Sequence, residues 1–177
     1  MKNRLLTVIV LVAVAALAPD RASAQEGGIM LDAVAPGAAV ETLDGRKVDL
    51  ASYIQGKPAV LEFWATWCPL CKQLEPQMHA AREKYAGRVT FVSVGVKDNQ
   101  TPEKQKAFVE SKQLGGEFVF DRDGKAVAAY KVPHTSYLVV VDAKGKVVYT
   151  GVGGEQNVDA AVMKALPMGS AMQNGAY

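Results

Sequence analysis

The two cysteines of the chain, Cys68 and Cys71, are separated by only two residues, and this spacing constrains the fold more than any other feature. An apolar run over residues 59–64 precedes them and is typical of a strand buried on both faces. A pattern with helical periodicity follows from about Cys71 to Tyr85. The pair is therefore predicted to lie where a strand ends and a helix begins.

A disulfide between Cys68 and Cys71 would close almost no loop. Because a disulfide stabilises a fold mainly by restricting the unfolded chain, stability is a poor reason for this pair. A Cys-x-x-Cys at a strand–helix junction indicates a redox motif instead. Half of a zinc site is the alternative, but zinc takes roughly four ligands, and the sequence has no second cysteine pair.

The first residues have the pattern of an export signal. Lys2 and Arg4 precede an uncharged apolar run of 14 residues, 5–18, and the run Ala22-Ser23-Ala24 matches a cleavage signal. An uncleaved anchor is the alternative, but the run is shorter than the roughly 20 apolar residues that cross a bilayer. We therefore predict a cleavable signal peptide over residues 1–24 and a location in the periplasm or otherwise outside the cytoplasm, where disulfides persist.

The remaining 153 residues carry 17 basic and 17 acidic side chains, so their formal net charge is zero. They contain no cluster of Lys and Arg, which argues against nucleic acid as a partner. Their number fits one domain, which we place at residues 25–166. Residues 167–177 are small and polar, with one Pro and two Gly, and are predicted to form a flexible tail.

The other patterns predict strands and helices in alternation. Asp44 and Gly45 mark a hairpin turn, and Thr101 and Pro102 have the identities of a helix cap and first helical residue. Pro76 is expected to kink the first helix. The result is an α/β sheet with helices on both faces. The predicted elements are a hairpin over 40–50, strands over 59–64, 89–96 and 118–120, helices over 71–85, 102–112 and 157–166, a brief helical piece ending at Tyr130, and a hairpin of 137–141 and 146–150.

Cys68 is the expected nucleophile because a thiol reacts as its thiolate, and the start of a helix favours an anion. The thiol of Cys71 can also donate its proton to that thiolate, and Pro69 suits the first helical position. We therefore expect Cys68 to be the exposed, attacking sulfur and Cys71 to resolve the mixed disulfide.

Glu62 is the exception in the apolar strand that leads to the cysteines. Burial of an unpaired carboxylate raises its pKa, and a carboxyl group that titrates near neutral pH beneath Cys71 could accept and return the proton of that thiol. The alternatives are that Glu62 faces solvent or pairs with a lysine.

Residues 63–72, Phe-Trp-Ala-Thr-Trp-Cys-Pro-Leu-Cys-Lys, with Pro76 close behind, resemble the thioredoxin superfamily. The Ala-Thr-Trp-Cys-Pro form, the export signal and the preceding hairpin with Gly56-Lys57-Pro58 are similar to the TlpA/ResA type of extracytoplasmic thiol-disulfide oxidoreductase. The likeness covers roughly residues 30–166. It implies a thioredoxin-like fold, with a central mixed sheet flanked by helices and an added N-terminal hairpin.

The resemblance also implies roles for particular residues. Cys68 would be the nucleophile, Cys71 the resolving thiol and Trp67 part of the substrate-facing surface. Glu62 falls at the position where thioredoxins carry a buried acid that assists proton transfer. The acid that the family often has three residues after the second cysteine is absent here, since that position is Leu74 and the next residue is Glu75.

The family also has a cis-proline that faces the cysteines and binds the backbone of the substrate. Pro133 is the only candidate for it, although it lies farther from Asp142 than the family's Pro-Thr-Thr pattern would place it. We therefore expect Pro133 to be cis and to bind substrate, with His134 close to the site.

The predicted function is that of an exported thiol-disulfide oxidoreductase with no cofactor besides a redox-active Cys68–Cys71 disulfide. The resemblance implies that it reduces disulfide-bearing protein substrates such as apocytochrome c, and that a membrane electron donor of the DsbD/CcdA kind recycles it. A thiol peroxidase is disfavoured because Ala65 stands where its threonine would be. A copper-binding chaperone with Cys68, Cys71 and His134 as ligands is the remaining alternative.

Overall fold

The fold is seen in a computed structural model that describes residues 27–167. The predicted signal peptide over residues 1–24 and nearly all of the predicted tail over residues 167–177 lie outside the described residues. Within the described part, no helix is long and apolar enough to cross a bilayer.

Seven strands form one mixed sheet in residues 27–167. The spatial order of the strands is β2-β1-β5-β4-β3-β6-β7, in which β3, β4 and β5 run parallel and the other neighbours are antiparallel. The strands are β1 (Ala39–Thr42), β2 (Lys47–Asp49), β3 (Ala59–Trp64), β4 (Thr90–Val96), β5 (Glu117–Asp121), β6 (Tyr137–Val141) and β7 (Val147–Val152). The helices are α1 (Pro69–Lys84), α2 (Pro102–Lys112), α3 (Lys125–Ala129) and α4 (Val158–Met163), with a short 3₁₀ turn at Leu50–Tyr53.

The predicted N-terminal hairpin is confirmed, and its position in the sheet is now defined. Its first strand, β1, pairs antiparallel with β5, so the hairpin extends the sheet at one edge. Helix α2 has the predicted bounds, and the Thr101 side chain accepts from the Lys104 N–H as its cap. Helix α1 begins at Pro69, the residue expected at the first helical position, and Cys68 is its cap. Pro76 lies inside α1, and the kink expected there stays a prediction.

The alternation of side chains along β3 decides what Glu62 faces. Successive side chains of a strand point to opposite faces of the sheet. Val60 packs in a core cluster with Leu74 and Met78 of α1, whereas Phe63 packs on the other face against Tyr130, at the end of α3. Glu62 shares the parity of Val60 and therefore faces α1, the helix that carries the cysteine pair.

Candidate active site

Cys68 and Cys71 form a disulfide at the first turn of α1, with their Cα atoms 5.3 Å apart. Cys68 is the cap residue of the helix, and the Cys71 backbone N–H donates to Cys68 Sγ at 3.1 Å. A cap residue normally supplies an oxygen to this free N–H, and here a sulfur takes that place. In the reduced protein the same N–H and the positive end of the helix dipole stabilise a thiolate at Cys68.

The prediction that Cys68 is an exposed sulfur is wrong for the disulfide form. Cys68 is only 2% exposed and Cys71 4%. The cause is a tight turn in which the Cys68 N–H donates to the Ala65 carbonyl at 3.1 Å and holds the cysteine against the end of β3. Trp67 and Leu70 are the exposed large apolar residues of this segment. A substrate therefore meets these two apolar side chains before it meets the sulfur.

Glu62 is buried, with 3% of its surface exposed, which excludes the solvent-facing alternative. Its desolvation raises the pKa of the carboxyl group from 4.5 to about 7, while the positive charge of Arg82 and a hydrogen bond from Ser93 act in the opposite direction. The Ser93 hydroxyl donates to Glu62 Oε2 at 3.4 Å. The charged partner is thus an arginine of α1, and the carboxyl group titrates in the range that acid–base catalysis at neutral pH requires.

A cavity of about 620 Å³ is lined by both Glu62 and Cys71. It is large enough for water, and its wall combines aromatic rings with polar groups. Water in this cavity can carry a proton between the Glu62 carboxyl and Cys71. The residues that line it are Glu62, Trp64, Ala65, Cys71, Lys72, Glu75, Ser93, Phe108, Lys112, Leu114 and Phe118.

Gln100 fixes the active-site turn, and the sequence reading missed it. Its Oε1 accepts from the Thr66 N–H at 3.0 Å, while its Nε2 donates to the Val96 carbonyl at 2.6 Å and to the Trp64 carbonyl at 3.4 Å. The loop that carries Gln100 thereby ties the end of β4 to the turn before Cys68. No motif marks a glutamine for this role, because two of its three partners, Trp64 and Thr66, belong to a segment far from it in the sequence.

The expectation that Pro133 is cis is wrong, since no peptide bond among residues 27–167 is cis. Pro133 lies against the backbone of Gly27, and its role in substrate binding stays a prediction. The residue that adjoins the end of β3 at the start of β6 is Ser136, whose N–H donates to the Phe63 carbonyl at 2.8 Å. A proline at this position could not make that bond because it has no N–H.

Ser136 has a positive φ of 62°, which is uncommon for a residue with a side chain. It is fully buried, and its hydroxyl donates to the Gly153 carbonyl at 3.0 Å. Its own carbonyl accepts from the Gly153 N–H and from Gln156 Nε2. These bonds hold the turn before β6 in its unusual conformation.

The three ligands of the copper alternative do not come together. Residues 27–167 contain no group of three or more His, Cys, Asp and Glu side chains that could hold a metal ion. His134 is exposed, in the turn before β6. The site that the structure does assemble is the disulfide, the buried acid and the cavity between them.

This combination of fold and site defines a thioredoxin-like thiol-disulfide oxidoreductase of the TlpA/ResA type. The model of the Redoxin family matches residues 19–166. The chain therefore belongs to the Redoxin family.

Relatives and solved structures agree with this class. The thioredoxin-like protein YneN of Bacillus subtilis is 34% identical over 124 residues, 70% of this chain and 72% of the relative. The thiol-disulfide oxidoreductase ResA of Bacillus thuringiensis subsp. konkukian is 30% identical over 122 residues, 69% of each chain. A secreted disulfide oxidoreductase of Mycobacterium tuberculosis superposes with a TM-score of 0.61 and 29% identity, over 72% of this chain and 94% of that one.

Proposed function

We propose that this oxidoreductase reduces disulfides of exported proteins outside the cytoplasm, with Cys68 as nucleophile and Cys71 as resolving thiol. The observation that carries the proposal is the hydrogen bond from the Cys71 N–H to Cys68 Sγ at the start of α1. This arrangement stabilises a thiolate at Cys68 and leaves the thiol of Cys71 beside the cavity that Glu62 lines.

The reaction proceeds in two exchange steps. The Cys68 thiolate attacks one sulfur of a substrate disulfide, that S–S bond breaks, and the other substrate sulfur leaves as a thiolate. Cys71 then gives its proton to the Glu62 carboxylate through the cavity and attacks Cys68 Sγ. The second substrate sulfur leaves as a thiolate. The substrate gains two electrons, and the Cys68–Cys71 disulfide forms.

The charge of Glu62 favours reduction of the substrate, whereas the stabilised thiolate at Cys68 acts in the opposite direction. An ionised Glu62 opposes a second negative charge in the cavity it shares with Cys71, so it disfavours the thiolate form there. Destabilising the reduced pair shifts its equilibrium toward the disulfide, which makes the dithiol a better reductant. A membrane electron donor of the DsbD/CcdA kind would return the disulfide to the dithiol.

The location outside the cytoplasm rests on the signal pattern of residues 1–24 and on the relative from Mycobacterium tuberculosis that is described as secreted. The exposed Trp67 and Leu70 beside the disulfide suit an unfolded or extended protein substrate, since both offer apolar contact area. Apocytochrome c, which must have reduced cysteines before haem is attached, is a substrate of this kind.

Trapping in cells tests the proposal. A Cys71→Ser variant can form the mixed disulfide at Cys68 but cannot resolve it, so it should accumulate covalent adducts with exported proteins. Non-reducing electrophoresis followed by mass spectrometry would identify them. The matched control is the double variant Cys68→Ser/Cys71→Ser, which should capture none. The proposal fails if the single variant captures no more protein than the double variant.

A further inference from the structure

Arg82 of α1 contacts one acid, Glu75, directly and a second acid, Glu62, through Ser93. Its side chain is 9% exposed, and Nη1 donates to Glu75 Oε1 at 2.7 Å. Its Nη2 donates to the Ser93 hydroxyl at 3.3 Å, and that hydroxyl donates to Glu62 Oε2 at 3.4 Å. The guanidinium also lies over the ring of Phe118, 6.0 Å from its centroid. Three neighbours therefore hold this cation near the buried acid.

The direction of these hydrogen bonds follows from the chemistry of the groups. An arginine has donors and no acceptor, whereas a serine hydroxyl has a single proton and two lone pairs. Ser93 must therefore accept from Arg82, which leaves its only proton for Glu62. Arg82 thus directs the Ser93 hydroxyl toward the carboxyl group in the orientation that stabilises the ionised form.

Among the charges around Glu62, Arg82 is the cation that lowers its pKa. On β4, Glu62 is paired with Ser93, and on β6 with the apolar Leu138. The titratable and charged groups that face Glu62 or share its cavity are Cys71, Lys72, Glu75 and Arg82 of α1 and Lys112 of α2. Burial raises the pKa of Glu62, Arg82 lowers it and Glu75 raises it. Lys72 and Lys112 are exposed, so solvent weakens their effect.

We propose that Arg82 is a positioning residue for proton transfer at Glu62. It orients the Ser93 hydroxyl and supplies the positive charge that keeps the buried carboxyl able to ionise, while Glu75 holds the guanidinium in place. The inference deepens the proposed function and rests on it for the role of Glu62. The link itself, the hydrogen-bonded chain from Arg82 through Ser93 to Glu62, does not depend on which substrate is reduced.

Carbon-13 NMR of the side-chain carboxyl groups in the oxidised protein tests the link directly, with Glu62→Gln used to assign the signal. Arg82→Met should move the titration midpoint of Glu62 upward by roughly one to three pH units, the effect of an opposite charge at this range. Arg82→Lys, which keeps the charge but loses the planar fork, should move the midpoint upward by less than Arg82→Met does. Arg122→Met removes an arginine that pairs with Glu41 elsewhere and should leave the midpoint unchanged.

Ser93→Ala provides a second test in a protein that keeps Arg82. It removes the hydroxyl and should raise the Glu62 midpoint by less than Arg82→Met does. If Arg82→Met does not fold, Ser93→Ala and Arg82→Lys decide the question. An unchanged Glu62 midpoint in the folded variants overturns the inference.

The readout separates this inference from the proposed function, because the titration uses oxidised protein and no substrate. Shifted midpoints in a protein that exchanges no disulfides would count against the proposed function and leave the link intact. Unshifted midpoints in an active protein would overturn only the role of Arg82. In active variants, the pH dependence of disulfide exchange should move upward together with the midpoint.

Discussion

Replacing Cys68 with serine should slow the reduction of a protein disulfide by a factor on the order of 10³ or more. A serine hydroxyl is not ionised at neutral pH, even beside the N–H groups and the positive dipole end of the helix start. It also cannot form the mixed disulfide. The measurement is a single-turnover reaction of the pre-reduced protein with insulin, followed by the release of free insulin chains.

The matched variant is Cys71→Ser, which keeps the nucleophile. It should attack insulin at a rate within about tenfold of the wild type and then stop at the mixed disulfide. The asymmetry between the two variants is the expected result, since only Cys68 receives the N–H of Cys71 across the first turn of α1. Equal loss of the first step in both variants would contradict the assignment of the nucleophile.

Replacing Glu62 with glutamine should slow exchange by a factor on the order of 10² above neutral pH, where the carboxylate is ionised and can accept the Cys71 proton. Below about pH 6 most Glu62 is protonated, because its pKa lies at about 7, so the wild type and the variant should converge. Stopped-flow rates across pH 5 to 9 measure this. Glu110→Gln, on the exposed surface of α2, is the control. A rate ratio that does not change with pH would contradict proton transfer by Glu62.

The same substitution has a thermodynamic signature. The pKa of Glu62 is raised from 4.5 to about 7 by folding, so the folded state binds more protons than the unfolded state between these values. The contribution of Glu62 to stability therefore falls as the pH rises from about 4.5 to 7 and is level above that range, a loss of about 3 kcal/mol. The free energy of unfolding of Glu62→Gln, measured by denaturant titration, should not show this loss. The difference in free energy of unfolding between variant and wild type should therefore lie more in favour of the variant at pH 8 than at pH 4.5.

Local signals in the sequence account for the elements that were predicted well. Residues 59–64 form β3 as expected, since a continuous apolar run suits a strand with neighbours on both sides and both faces covered. Thr101 and Pro102 define the start of α2 through their own backbone preferences. The position of the cysteine pair at a strand–helix junction was predicted from equally local signals, because the strand pattern directly precedes the pair and the helix pattern directly follows it.

The parts that were missed depend on contacts between distant segments. The burial of Cys68 results from a turn that Gln100 fixes from another loop. Pro133 was chosen because it is the only proline near β6, yet the register of β6 on β3 brings Ser136 to the end of β3. The alternation along β3 could have placed Glu62 on the side of Val60. Only the folded chain shows that Arg82 and Ser93 meet it there.

The central claim is that Cys68 and Cys71 together transfer two electrons to a protein disulfide. The most direct test mixes stoichiometric reduced protein with insulin in the absence of oxygen, then counts free thiols and maps disulfides by mass spectrometry. We predict that one insulin disulfide is lost for each Cys68–Cys71 disulfide formed, with any mixed disulfide located on Cys68. Intact insulin after mixing, or mixed disulfides carried by Cys71, would contradict the account.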